Sequence, residues 1–348
     1  MRLQRGLLIG LPALVLIVGG AATVYWYIVA RQLGDGFTAW ANARRAAGWS
    51  VASASPHFAG WPRSAVLVLP DLRLSGGEPD IPGGISWRAS RAEISIDLLH
   101  PHAITIDSHG VQHVGSVSRP GWPFRAAELR ALLPLRDGEP PDSADITVRN
   151  LRGGAAGLVV GAADVHIAFD PDAPRGQPDK KPALVIGLIA DAISLPSGLN
   201  WPLGAQVASL KLDGSLNRLF PSVGTLRADA EAWRTAGGEV AIHRLEMRWG
   251  PMHGVLSATL SLDAALQPVV GGELAVTNYA PTLDALAAHR VIGNDAAFAA
   301  KAVLSLLAAV PPAGGAPQVA VPFAIADRTV TVRGIPLVRL LELRWPSQ

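Results

Sequence analysis

The sequence predicts a mostly-β protein: a curled antiparallel sheet, groove-like or sandwich-like, with an N-terminal transmembrane helix and two helices near the C-terminus. Three observations predict it. An uncharged apolar run extends from Gly6 to Ala30. Hydrophobic alternation with a period of two then recurs through most of the chain. The C-terminal part carries one helical interruption, between Pro281 and Ala309.

Arg2 and Arg5 precede the apolar run and Arg31 ends it. As a helix the run spans about 37 Å, enough for a hydrocarbon core of ~30 Å. Tyr25, Trp26 and Tyr27 stand where an interfacial aromatic belt belongs. The small residues Gly19 to Ala22 offer a cleavage site, but apolar character runs on to Ala30, past the ~7–15 residues of a signal-peptide core. The expectation is an uncleaved signal anchor over 1–31. Arg2, Arg5 and the terminal amine favour an inside N-terminus, against Arg31, Arg44 and Arg45. The chain is then expected to be a single-pass protein whose bulk lies outside the cytoplasmic membrane, in a periplasm if the cell has one.

A helical pattern continues over Gln32–Ala47 with Leu33, Phe37, Trp40, Ala41 and Ala47 near one face, and Gly48 is suited to the left-handed residue that ends a helix. This gives a stalk over 32–48. Beyond it, Val66, Val68, Leu72 and Leu74 share one parity, and Ala92, Ile94, Ile96 and Leu98 alternate with charged and polar residues. Val165, Ile167 and Phe169 do the same, as do Leu245, Met247 and Trp249, then Leu256, Ala258, Leu260 and Leu262, and finally Val330 and Val332. Segments with one apolar and one polar face belong to antiparallel sheet with a wet side. Gly250-Pro251, Gly271-Gly272 and the Pro171–Pro178 stretch supply turns. Two β regions follow, 49–182 and 183–348, the second with a helical insert over 281–310.

In that insert Pro281 suits a first helical position, with a helix over Thr282–Arg290 stopped by Gly293. A second helix runs from about Asp295 to Ala309, closed by Pro311-Pro312. It is apolar nearly all round, too short to cross a membrane, and is expected to be a buried core helix. Trp61, Trp122, Trp201 and Trp345 each precede a proline, at unequal spacings that exclude a solenoid repeat. Trp before Pro is extended, and these rings are expected to plug sheet ends.

The composition narrows the function. Charged residues are 17% of the chain, net charge is +2, and no long basic run exists, so no nucleic-acid partner is expected. The chain has no cysteine, which excludes thiol catalysis, zinc-thiolate sites and disulfides. It lacks the Gly-x-Ser-x-Gly elbow, the P-loop and the His-Glu-x-x-His pair, and Gly153, Gly154, Gly157 and Gly161 miss the dinucleotide spacing. His100, His102, His109 and His113 cluster but without a placed carboxylate, and read as polar hairpin residues. Asp170, Asp172 and Asp179 lack the fifth-position oxygen and terminal Glu of a calcium loop, where Pro174 and Lys181 stand. No catalytic residue, metal or cofactor is expected.

The order of elements resembles the uncharacterised bacterial envelope family called domain of unknown function 2125. The residues that carry the likeness are Trp40, Gly48, Gly60-Trp61-Pro62, Arg248-Trp249-Gly250-Pro251, Asn278-Tyr279-Ala280 and Gly334-Ile335-Pro336-Leu337. The last hundred residues are also similar to AsmA-like envelope proteins, whose sheets form apolar grooves implicated in lipid movement. The family implies no catalytic residues.

The expected site is an apolar face built from Leu245, Met247, Trp249, Leu256, Ala258, Leu260, Leu274 and Val276. These share one parity on three segments that a meander would join. The expected partners are the lipid bilayer and lipid acyl chains; protein partners are not specified by the sequence. The alternatives are a non-enzymatic envelope scaffold, its apolar face closed by other elements, and an envelope hydrolase with a dispersed site.

Overall fold

The computed structural model describes residues 2–77, 84–117, 121–136, 141–154, 157–170, 182–219, 225–310 and 316–345. The Pro171–Lys181 stretch, Pro311-Pro312 and Pro346 lie outside them. The elements follow in chain order. First come α1 (Arg2–Ala46), β1 (Ser50–Ala52), β2 (His57–Ala59), β3 (Ser64–Gly76), β4 (Ile85–Asp97) and β5 (Ala103–Gly115). Then come β6 (Trp122–Arg125), β7 (Glu128–Pro134), β8 (Ser143–Gly153), β9 (Leu158–Phe169), β10 (Leu184–Ser194) and β11 (Gln206–Leu216). Next are α2 (Leu226–Thr235), β12 (Val240–Trp249), β13 (Met252–Leu262), β14 (Pro268–Thr277), α3 (Tyr279–Ala288) and α4 (Asn294–Leu307). The chain closes with β15 (Gln318–Ala326), β16 (Thr329–Val332) and β17 (Ile335–Arg339). The predicted mostly-β class, long N-terminal helix and C-terminal helices are all present.

Two compact units result. One comprises 1–77, 84–121 and 130–141; the other 78–83, 122–129 and 142–348. In the first, α1 runs unbroken from the apolar segment through the stalk. Among the described residues it is the one helix long and apolar enough to cross a membrane. Gly48 ends it as expected, at φ 82°, and Trp49 N–H bonds back to Arg44 O at 3.0 Å. β1 and β2 pair with opposite halves of β3, and the ladder continues antiparallel through β4 and β5 to β7. Leu33 of α1 packs on Leu67, Leu69, Leu72 and Ala92, with Phe37, Leu74 and Trp87 beside them. The expected set of Val66, Val68, Leu72 and Leu74 is corrected here: Asp71, at φ 47°, switches the parity of β3, so that Leu67 and Leu69 share the helix-facing side with Leu72 and Leu74.

In the second unit β6 pairs with β8, and each strand from β8 to β17 pairs antiparallel with the next. α2 joins β11 to β12. It was not anticipated, although Thr225 caps it by accepting from Ala228 N–H at 3.3 Å and Ala230 and Trp233 recur on its buried face. α3 begins earlier than expected because Asn278, at φ 56°, turns the chain into it. α4 corrects the expectation of a buried core helix. Phe298 is 77% and Leu306 87% exposed, and Ala297 alone is buried, because α4 packs on α3 rather than on the sheet.

The Trp-Pro rings of this unit sit at sheet ends. Trp201 packs edge-on to Trp249 at 6.2 Å and bonds Pro196 O, and Trp345 bonds Leu266 O. Trp122 rests on Gly153 and Gly154, where a Cβ would lie 2.3 Å and 2.1 Å from the ring.

Candidate functional site

Strands β12 to β14 carry the apolar residues singled out above, and the register decides which of them meet. Leu245 pairs with Leu256 and Leu256 with Leu274, so three of the eight form one cross-strand row. Met247 and Val276 flank Gly254 in a second row, Ala258 lies in a third between Ile242 and Gly272, and Leu260 in a fourth between Val240 and Val270. An irregularity between Ile242 and Leu245 inserts a residue yet keeps both on this face. Trp249 is set apart at the sheet end, its Nε1–H donating to Gly204 O at 2.7 Å.

The row continues well beyond those three strands. Ile146, Val165, Leu188, Leu212, Leu245, Leu256, Leu274 and Val321 are successive register partners from β8 to β15. The next row reads Val148, Ala163, Ala190, Leu210, Met247, Gly254, Val276 and Val319, and the one on the other side includes Ile167, Ile186, Gly214, Ala258 and Gly272. Small residues beside the leucine row leave relief on the surface. None of the eight residues of the leucine row is buried, and Leu274 is exposed. The buried positions on the neighbouring rows carry smaller side chains, such as Ala190, Ala258 and Val319. Side chains flanked by cross-strand neighbours but not roofed by a second layer show this half-exposure; a filled core does not.

The opposite face is ionic. Arg149 pairs with Asp164 at 2.8 Å and His166 with Asp145 at 2.6 Å. Buried Glu246 accepts from Arg244 at 2.8 Å and meets His253 at 3.2 Å. The Arg244 bond holds the Glu246 carboxyl below the usual range, opposed by burial and assisted by His253. Over Gly187 this face has a depression of about 560 Å³ edged by Asp145, Asp164, His166, Lys211, Asp213 and Arg244.

Ser215 Oγ lies 2.8 Å from His243 Nε2 on the exposed surface. Among the described residues no carboxylate bonds the other ring nitrogen, so the pair lacks the orienting group of a hydrolytic triad. His100 stands in the β4–β5 turn and His109 faces Glu93 at 4.0 Å. Among the described residues no group of three or more His, Asp or Glu is placed to hold a metal.

Residues 26–340 match the family described as an uncharacterised protein conserved in bacteria, DUF2125, and the chain belongs to that family. No curated protein and no solved structure matches the chain. The comparisons give no support to the AsmA-like likeness of the C-terminal third.

Proposed function

We propose that this DUF2125 member is anchored by α1 in the bacterial cytoplasmic membrane, with its bulk on the periplasmic side, and that the apolar face of β8–β15 binds or shields lipid acyl chains. The observation that carries the reading is the leucine row across those strands, half-exposed along its length. At roughly 25 cal/mol per Å², each ~100 Å² of apolar surface left uncovered forgoes about 2.5 kcal/mol of burial. An acyl chain supplies that burial without needing any hydrogen bond from the face. The residues taken to touch lipid are Leu245, Met247, Leu256, Ala258, Leu260, Leu274 and Val276, with Trp249 closing the end.

A scaffold reading, with a protein partner on the apolar surfaces, is supported by the exposed Phe298, Val303 and Leu306 of α4. Purification of the chain from Gln32 onward without detergent, then mass spectrometry of the solvent extract, separates the two. The lipid reading expects bound acyl lipid, and Leu260→Asp expels it while the circular dichroism stays β. Absence of lipid from the unmutated protein, with unfolding of Leu260→Asp, rejects it.

A further inference from the structure

The first unit holds a second apolar space, formed by different residues. α1 covers β3 and reaches Ala92 of β4, and beside that contact the apolar side chains of β4, β5 and β7 border an open space. Between them lies a cavity of about 500 Å³, walled by Val29, Gly36 and Trp40 of α1 and by Ile94, Ile106 and Leu133 of the sheet. Among the described residues of the lining, Gln32 is the one with a polar side chain other than the tryptophans. The volume falls within the ~300–1,000 Å³ of ordinary ligand pockets.

Two hydrogen bonds fix the height of this cavity relative to the apolar segment. Trp61 Nε1–H donates to Thr23 Oγ1 at 3.2 Å, and Trp26 Nε1–H donates to Ser64 O at 2.9 Å. Thr23 and Trp26 belong to the uncharged run that ends at Ala30. The start of β3 is therefore level with the last turns of the segment expected to lie in the bilayer. Ser64 pairs with Asp97, so the β4–β5 turn stands at the same end. The exposed apolar side chains there, Trp61 at 57% and Leu99 at 76%, suit the interfacial zone. The cavity wall on α1 runs from Val29 to Trp40, about 16 Å at ~1.5 Å per residue. Half of a ~30 Å hydrocarbon core, the reach of one acyl chain, is about 15 Å.

We infer that this cavity takes one acyl chain of a bilayer phospholipid, which slides along α1 from the membrane while its headgroup stays at the surface. The inference rests on the anchor reading of α1 but not on acyl binding by β8–β15. Lipid enters at the Val29 end, and Trp40, Leu74 and Trp87 surround the far end. Gly36 is the position at which the cavity can be filled harmlessly, since no atom lies within 4 Å of a Cβ built there.

The test uses the full chain in phosphatidylethanolamine–phosphatidylglycerol vesicles containing a phospholipid with a diazirine on one acyl chain. After illumination, adducts are mapped by mass spectrometry. Adducts are expected on Gly6–Ala30, reporting the anchor, and on the peptides bearing Trp40, Ile94 and Ile106. Gly36→Leu should lower the second set about tenfold, the ratio given by about 1.4 kcal/mol, and leave the first unchanged. Labelling of Gly6–Ala30 without cavity adducts, or cavity adducts indifferent to Gly36→Leu, overturns the inference and leaves the anchor standing. No labelling of Gly6–Ala30 overturns the anchor reading and the inference with it. Adducts on β12–β14 report separately on the face of the second unit.

Discussion

Glu246 illustrates how single residues on the wet face contribute to the fold. It is buried on β12, and its carboxylate accepts from Arg244 and meets His253. A carboxyl held below its ordinary range lends stability that is fully present above that range, ~4.3 for glutamate, and is lost as pH falls through the lowered value. Glu246→Gln should thus lower the denaturation midpoint of the full chain at pH 7 and make the decline toward pH 3 shallower. Parallel pH profiles for the two proteins would exclude the role. Gly153 makes a different residue-scale case. The glycine cluster at 153–161 misses the dinucleotide spacing and reads in the sequence as a loop leading into a strand, but spacing cannot say which ring lies overhead. The fold places Trp122 on Gly153 so closely that a methyl group has no room. Gly153→Ala should cost ~1–3 kcal/mol through overpacking. Trp122→Ala in the same background should cancel most of that penalty, and a full penalty without the ring would refute the contact.

At the scale of elements, the alternation of β12 and β13 was readable in the sequence, but that of β3 was not, because a left-handed Asp71 at φ 47° puts Leu67 and Leu69, not Val66 and Val68, on the face of Leu72 and Leu74. β10 was less readable too, because Leu184–Ile189 is almost uniformly apolar and Ile189 occupies the otherwise polar face, 50% exposed. The candidate face was accordingly read as three strands when its rows cross eight. α2 escaped notice for the opposite reason: it is short and charged, and its apolar stripe reduces to Ala230 and Trp233. α4 shows the limit of periodicity, which reports that a helix is apolar but not what covers it. The α2 cap is a test of the local logic. Thr225→Ala removes the acceptor for Ala228 N–H and should cost about 1 kcal/mol. Thr225→Asp should recover it, and equal stabilities of the Ala and Asp forms would count against the cap. In the first unit Leu69, fully buried beneath α1, should cost ~2–5 kcal/mol as Leu69→Ala, measured by chemical denaturation.

For the whole molecule the decisive question is which side of a membrane the β structure occupies, and α1 carries the physical argument. Charge asymmetry alone is weak, since Arg31, Arg44 and Arg45 oppose Arg2 and Arg5. The unbroken helix changes their weights. Arg44 and Arg45 stand about 20 Å beyond Ala30 at ~1.5 Å per residue, near the outer limit at which cations orient a span. Arg45 is also engaged, donating to Val51 O at 2.7 Å and to Asn42 Oδ1 at 2.9 Å. That leaves Arg31 against Arg2 and Arg5, which favours an inside N-terminus and an exported β portion. The bonds from Thr23 and Trp26 to the Trp61–Ser64 segment add a reason for retention, since cleavage among Gly19–Ala22 would leave the bonded turns at a fraying new terminus. The mature protein should therefore retain the Gly6–Ala30 run when its N-terminus is sequenced, and a start near Ala21 or Thr23 would reject the anchor. A reporter fused after Gln348 should be active only when it requires export. Activity confined to a cytoplasmic reporter would place the β structure on the other side of the membrane and reverse the proposed topology.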